Sequence, residues 1–295
     1  MTKMKPLLKS MLGAVALTSS FAWAGGHYAP GAEGVAAASA PPPGTYYLGY
    51  LVNYKANSLQ GAPGNNSVKV TVLANRFAWI SNTKVLGADY GAEVIVPVYG
   101  EIKASLTSVT GNPSNRDRGV GDVYVGPLIL SWHGSNWDAV GAAGVWVDSG
   151  HYDGTNDASV GKGFKSNMYT FGGVYHFDDK KTWSLSVLNR YETNGSISSG
   201  PRSGYKAGDG FTTEWGVGKN FGGYTLGVVG YQQKQLSDDS GPTSTTNRAS
   251  KTGIGMEYST PLQSLGVMMK AAYYTESSTN DLKGNTLRFT FIKPL

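Results

Sequence analysis

The chain has no cysteine among its 295 residues, which excludes disulfides, thiolate-held zinc, iron-sulfur clusters and a cysteine nucleophile together. Nor is there a cysteine to acylate near the N-terminus, so a lipid-anchored form drops out. Charge is scarce, with 15% charged residues against 12% aromatic. Setting aside Lys3, Lys5 and Lys9, which belong to a segment expected to be removed, leaves 22 of the 25 basic residues against 20 acidic ones. That near-balance offers no concentrated basic face, and a nucleic-acid partner is not expected. Four histidines, His27, His133, His151 and His176, show no H-x-x-x-H or H-E-x-x-H spacing, and neither a metal nor a cofactor is expected. Beyond the N-terminus no run reaches the roughly 18 to 20 apolar residues that a membrane helix requires.

Residues 1–24 read as an export signal. Lys3, Lys5 and Lys9 precede the apolar stretch Met11 to Leu17, and small residues lead to Ala22-Trp23-Ala24, the order of charged region, hydrophobic region and A-x-A cleavage site. The exported chain is then either soluble or an outer-membrane β-barrel.

What is abundant is alternation. Twelve stretches show period-two hydrophobicity: Thr45–Lys55, Val68–Ile80, Lys84–Val98, Gly121–Trp132, Trp137–Asp148, Asn167–Phe177, Thr182–Tyr191, Phe211–Phe221, Tyr224–Lys234, Lys251–Ser259, Leu265–Tyr274 and Asn285–Ile292. Period two gives each strand two chemically distinct faces. Short polar turns at Ser81–Thr83, His133–Asn136, Asp178–Lys181, Asn220–Gly223 and Thr260–Ser264 alternate with six longer polar loops. A soluble sandwich has no cause to sort its loops by length, whereas an outer-membrane barrel has short periplasmic turns and long outer loops. The expected fold is all-β, a transmembrane antiparallel up-and-down β-barrel of about twelve strands spanning residues 45–295, in the outer membrane of a Gram-negative bacterium.

In such a barrel, charges belong on the lumen face, because a lysine or arginine facing mid-bilayer lipid costs about 2–4 kcal/mol. Asp89 and Glu93 oppose an uncharged set running from Leu86 to Val98; Trp183, Leu185 and Val187 oppose Arg190; Val267, Met269 and Ala271 oppose Lys270; Leu287, Phe289 and Phe291 oppose Arg288. The expected lumen lining is Asp89, Glu93, Asp122, Trp146, Arg190, Glu214, Tyr231, Glu257, Lys270, Tyr274 and Arg288. Mixed charges of this kind imply no strong ion selectivity, and pairing across the barrel is an equal role for them. Val68–Ile80 has no clean parity, since Arg76 breaks one face and Lys69 and Asn75 the other, which marks a bulge or a lipid boundary. Tyr46, Tyr54, Trp132, Trp137, Trp183, Tyr191, Phe211, Phe221 and Tyr224 lie near strand ends, as interfacial girdles require.

Residues 25–44 are rich in Gly, Ala and Pro and are too apolar for an ordinary solvated tail, while Pro41–Pro43 exclude a central strand. Either they form a gate at the periplasmic mouth or they are a disordered leader. Asp148-Ser149-Gly150-His151-Tyr152-Asp153 holds the residue types of a nucleophilic triad, but triads are assembled from separate elements, and adjacency here indicates an exposed loop.

Several segments together resemble the outer-membrane protein family named for the meta-pathway of phenol degradation. They are His27–Gly31 through Pro41–Tyr47, Gly121–His133, Lys84–Gly87, Tyr191–Asn194 and Gly230–Gln233. Val147–Gly150 departs from the Pro-Thr-Gly turn of that family. Lys283–Phe289 resembles a C-terminal barrel-insertion signal, although the chain ends Ile292-Lys293-Pro294-Leu295 without an aromatic. The resemblance implies an outer-membrane channel for small hydrophobic or aromatic solutes. The expected protein is a monomer and not an enzyme, with outer-membrane lipid and, during insertion, the barrel-assembly machinery as partners. The alternatives are an outer-membrane lipid hydrolase, testable through Ser149 and His151, and a non-conducting structural barrel.

Overall fold

The computed structural model describes residues 25–59, 66–105, 114–242, 244–279 and 282–295. The expected export signal, residues 1–24, lies outside them. Thirteen strands follow in order: β1 Gly44–Leu59, β2 Ser67–Val85, β3 Ala88–Ser105, β4 Ser114–Val120, β5 Val123–His133, β6 Trp137–Val147, β7 Ser166–His176, β8 Trp183–Asn194, β9 Gly210–Asn220, β10 Thr225–Gln235, β11 Ser250–Leu262, β12 Val267–Thr279 and β13 Leu282–Pro294. Each pairs antiparallel with its neighbours, and β1 closes the sheet by pairing with both β2 and β13. The near half of β3 pairs with β5, from Asp89 to Ile95, and its far half with β4, from Val98 to Ser105. Strands β4 and β5 are therefore one spanning strand broken at Gly121-Asp122, and the barrel has twelve staves.

Several sequence expectations shift, since strands run past the expected bounds. The first turn is not at Ser81–Thr83; β2 runs on to Val85, and the reversal is made by Leu86 and Gly87, with φ of 52° and 79°. Two successive left-handed residues make the hairpin turn whose twist matches the flanking strands. Part of the loop expected from Tyr99 to Val120 is strand as well, because β3 extends to Ser105 and β4 pairs with it.

Side chains sort by face as lipid and lumen demand. Leu73, Phe77, Phe171, Tyr175, Leu185, Val187, Leu226, Val228, Ile254, Tyr273 and Leu287 are exposed, whereas Arg190, Glu192, Glu214, Gln233, Glu257, Glu276 and Arg288 are buried. Trp137, Trp183, Phe221 and Tyr224 stand exposed at the short-turn end, where amphipathic rings fit an interface. The uncertain parity of β2 resolves without any charge in lipid. Arg76 turns inward to Glu93, and Lys69 pairs with Glu101 at the long-loop end, 2.8 Å apart. Asn75 accepts from Tyr47 Oη at 2.9 Å and donates to the Val96 carbonyl at 3.1 Å. The register against β3 shifts between Thr71 and Val72, which is a bulge of the expected kind.

Strand β1 inverts the usual rule. Tyr50 and Tyr54 of its apolar face are buried while Leu51 is exposed, so the richer apolar set points into the lumen. Tyr54 is accordingly not a girdle residue: it donates to Glu276 at 3.0 Å inside the barrel.

Candidate functional site: a filled lumen

The lumen is occupied by the chain itself. Residues 25–44 enter beside Ala207 and Asn194 at the long-loop end, where a Cβ on Gly25 would meet the Ala207 Cβ at 3.1 Å. They leave at the short-turn end, where Ser39 donates to Asp138 at 2.8 Å, and join β1 at Gly44. Asp138 also meets His133 at 2.8 Å and His176 at 3.4 Å. Tyr28, Val35 and Ala38 are buried. The segment thus spans the full height of the barrel, beyond the periplasmic mouth alone.

Small residues allow this passage. At Gly34, φ is +73°, and a Cβ would lie 1.8 Å from Glu257 Oε2, a separation no substituted residue can hold. Opposite, β9 and β10 present Gly218 and Gly227, whose added Cβ atoms would meet Val35 at 2.5 and 2.3 Å. The glycines of the wall make the groove that Val35 fills.

Polar contacts fix the register of segment against wall. Tyr28 Oη donates to Glu214 and accepts from Arg190 Nη1 at 2.9 Å, and the Arg190 guanidinium lies 4.0 Å from the Tyr28 ring centroid, within cation–π range. Glu33 Oε1 accepts from Arg190 Nη2 at 2.8 Å and Arg76 Nη1 at 3.2 Å. The Glu33 amide donates to Glu214 at 3.0 Å and the Val35 amide to Glu257 at 3.1 Å. Arg288 donates to the Gly31 carbonyl and to Glu257, and Lys270 donates to the Val35 carbonyl at 2.9 Å. Backbone amides and carbonyls that would be orphaned inside the barrel thereby find charged partners.

At the outer mouth, His27 Nε2 meets Asp122 Oδ2 at 3.1 Å, and Nδ1 meets Glu192 Oε1 at 3.1 Å and Ser166 Oγ at 2.9 Å. Burial disfavours charge on His27, but the hydrogen bonds to Asp122 and Glu192 outweigh it and hold the imidazole above its ordinary value. Asp122 sits in the break between β4 and β5 and accepts from the amides of Ser149, Gly150 and Lys162 at 3.0, 2.8 and 2.8 Å. Burial would raise its pKa, yet His27 and those amides keep it below the usual carboxylate range. One carboxylate joins the broken strand, both ends of the outer loop between β6 and β7, and the tip of the lumen segment.

Asp122, Trp146, Arg190, Glu214, Tyr231, Glu257, Tyr274 and Arg288 are all buried. The Tyr231 and Tyr274 rings are 5.5 Å apart, and both lie against Gly31. Glu93 reaches Arg76, and Lys270 reaches Glu257 at 3.6 Å. Asp89 stands apart from this cluster, paired with Lys84 at 2.6 Å near the Leu86-Gly87 turn.

Sequence reasoning missed His27, Tyr28, Glu33, Arg76 and Glu192. A usable signal existed for Glu33, the one carboxylate between Gly25 and Gly44: a lone carboxylate in an apolar segment calls for a buried cation. Ser149 and His151 do not form a relay. Ser149 Oγ accepts from the Val123 amide at 3.0 Å, and His151 is exposed and faces Asp117 at 3.5 Å. Among the described residues no group of histidines and carboxylates is arranged to hold a metal.

The fold is similar to that of the COG4313 outer membrane channel from Pseudomonas putida F1, with a TM-score of 0.75 and 11% identity over 91% of this chain and 100% of that one. It is also similar to the translocator domain of the autotransporter NalP from Neisseria meningitidis, with a TM-score of 0.50 and 9% identity over 86% and 90%. No curated protein matches the chain. Residues 48–291 match the sequence profile of a family described as "Putative MetA-pathway of phenol degradation".

Proposed function

The chain belongs to the MetA-pathway phenol-degradation family, and we propose that it is an outer-membrane channel carrying small hydrophobic or aromatic solutes passively. The observation that carries this reading is the combination of a lipid-facing apolar belt with a lumen filled by residues 25–44. Such a lumen at rest offers no wide aqueous path of the porin type. A solute passes when the segment yields, moving along a wall whose aromatic groups include Tyr50, Tyr54, Tyr231 and Tyr274, all buried. Weak contacts with rings and scattered polar groups replace hydration without holding the solute tightly enough to stop its exit.

Residues 1–24 are removed on export, so that the chain begins at Gly25, the first residue in the lumen. The barrel-assembly machinery inserts the product, and it works as a monomer in lipid without metal, cofactor or enzymatic step.

The test is planar-bilayer conductance of the full chain beside a variant lacking residues 26–40. A several-fold rise in open conductance in the variant, with current block by added toluene, supports the reading. Equal conductance in the two proteins overturns it.

A further inference from the structure

The pocket around His27 is more specialised than the tip of a plug requires. The imidazole lies parallel to the Trp146 indole, with centroids 5.4 Å apart and 7° between planes, and meets Phe164 edge-on at 5.1 Å. Tyr124 packs 5.1 Å from the Trp146 ring. In the plane of the imidazole every polar neighbour is an acceptor. Asp122 and Glu192 are carboxylates, and Ser166 Oγ has committed its proton to Asn194 Oδ1 at 2.8 Å, leaving a lone pair for Nδ1–H. Both ring nitrogens therefore donate, and the ring is an imidazolium on geometry alone.

Aromatic faces above and beside, with carboxylates around the rim, are what a planar cation needs for recognition. Farther off, Lys162 opposes the charge on His27 and Asp148 favours it, and the contacting pair of carboxylates sets the sign of the site. The cage is closed to water as well: the His27 and Asp122 side chains are each 3% exposed, so the charge of whatever ring sits there is met by protein groups and little by solvent.

We propose that this pocket is a binding site for a small planar aromatic cation, a protonated nitrogen heterocycle or arylammonium ion, and that His27 occupies it as a tethered stand-in. A free cation competes with His27 for Asp122 and Glu192 and so loosens the outer end of the lumen segment. Tethering gives His27 an effective concentration in the millimolar range or above, so the free ligand binds the intact protein more weakly than a variant with the ring removed. The site stands independently of passage through the barrel, because its test reads binding and not flux.

The test uses the full-length protein in detergent at pH 6, with 4-methylimidazole as the cation and toluene as a neutral ring of similar size. Titration calorimetry is run on the wild type and on His27→Gly, with the barrel fold of each checked by heat-dependent gel migration. Saturable binding of 4-methylimidazole to His27→Gly is expected, at least tenfold tighter than to the wild type and at least tenfold tighter than toluene, and weakened again by adding Asp122→Asn. In the wild type, excess 4-methylimidazole is expected to raise deuterium uptake of residues 25–30. Equal binding of toluene and the cation would make the pocket merely apolar and overturn the proposal, as would absence of saturable binding in folded His27→Gly. If His27→Gly does not fold, unchanged wild-type uptake overturns it.

Discussion

Glu33 and Arg190 meet at 2.8 Å inside the barrel, and the same Glu33 oxygen reaches Arg76 on the far side at 3.2 Å. The one carboxylate of residues 25–44 thus bridges β8 and β2. Removing one partner of a buried charge cluster costs about 3–5 kcal/mol, because the remaining charges stay buried and uncompensated. Glu33→Gln is expected to leave the barrel folded and to loosen its contents. The deuterium exchange rate of residues 28–35 should rise by about two to four orders of magnitude, with the β8 and β9 amides unchanged. Uptake equal to wild type would show that the bridge does not hold the segment.

Gly34→Leu separates side-chain volume from charge. A Cβ at this position collides with the Glu257 carboxylate and sits on a backbone with positive φ, so the segment cannot seat in its present register. Open conductance should match that of the 26–40 deletion. Wild-type conductance would mean that the lumen tolerates a register the structure does not contain.

The His27 latch has a pH window. Its raised pKa makes its contribution fully present below the unfolded value of about 6.5 and lost as pH climbs through the folded one. Asp122, held low, contributes above its unfolded value of about 3.9, and that contribution is lost as pH falls through its depressed folded value. Exchange at residues 25–30, corrected for the intrinsic rate, should therefore be slowest in mildly acidic buffer and accelerate on the alkaline side. His27→Gln should abolish the alkaline limb. An identical profile in wild type and variant would assign the limb to other groups.

The lipid face makes a separate demand. Val187 is exposed on β8, and Val187→Arg should destabilise the barrel in lipid vesicles by about 2–4 kcal/mol, measured by urea unfolding in vesicles. No loss would place that face in water.

The barrel was legible in the sequence because membrane and lumen impose opposite chemistry on alternate residues: Leu185 and Val187 against Arg190, Leu287 and Phe289 against Arg288. The lumen contents were not, because they reverse that logic. Tyr50 and Tyr54 turn inward to partners elsewhere in the chain, and no period in β1 announces it: the Tyr50 hydroxyl donates to Glu33 and accepts from Arg76, while Tyr54 packs with Val68, Val70, Ala104 and Ala158 and donates to Glu276. Arg76 blurred the parity of β2 for the same reason, as its partners Glu33 and Glu93 lie in other parts of the chain. The turn at Leu86-Gly87 escaped because leucine seldom adopts positive φ, whereas Ser81-Asn82-Thr83 has the composition of a turn. Asp122 is expected in the lumen as one of the charges a barrel keeps from lipid, but its part in holding the strand break depends on amides of the loop between β6 and β7, which only the fold brings to it.

In the proposed channel, movement of residues 25–44 controls passage. The native chain has no cysteine, so a single engineered bridge is unambiguous, and Val35 lies directly against Gly227 of β10. Single-channel conductance of the double variant Val35→Cys and Gly227→Cys, recorded before and after reduction, tests the claim most directly. Closed channels when oxidised and openings restored by reductant are the predicted result; the same conductance in both states would contradict the account.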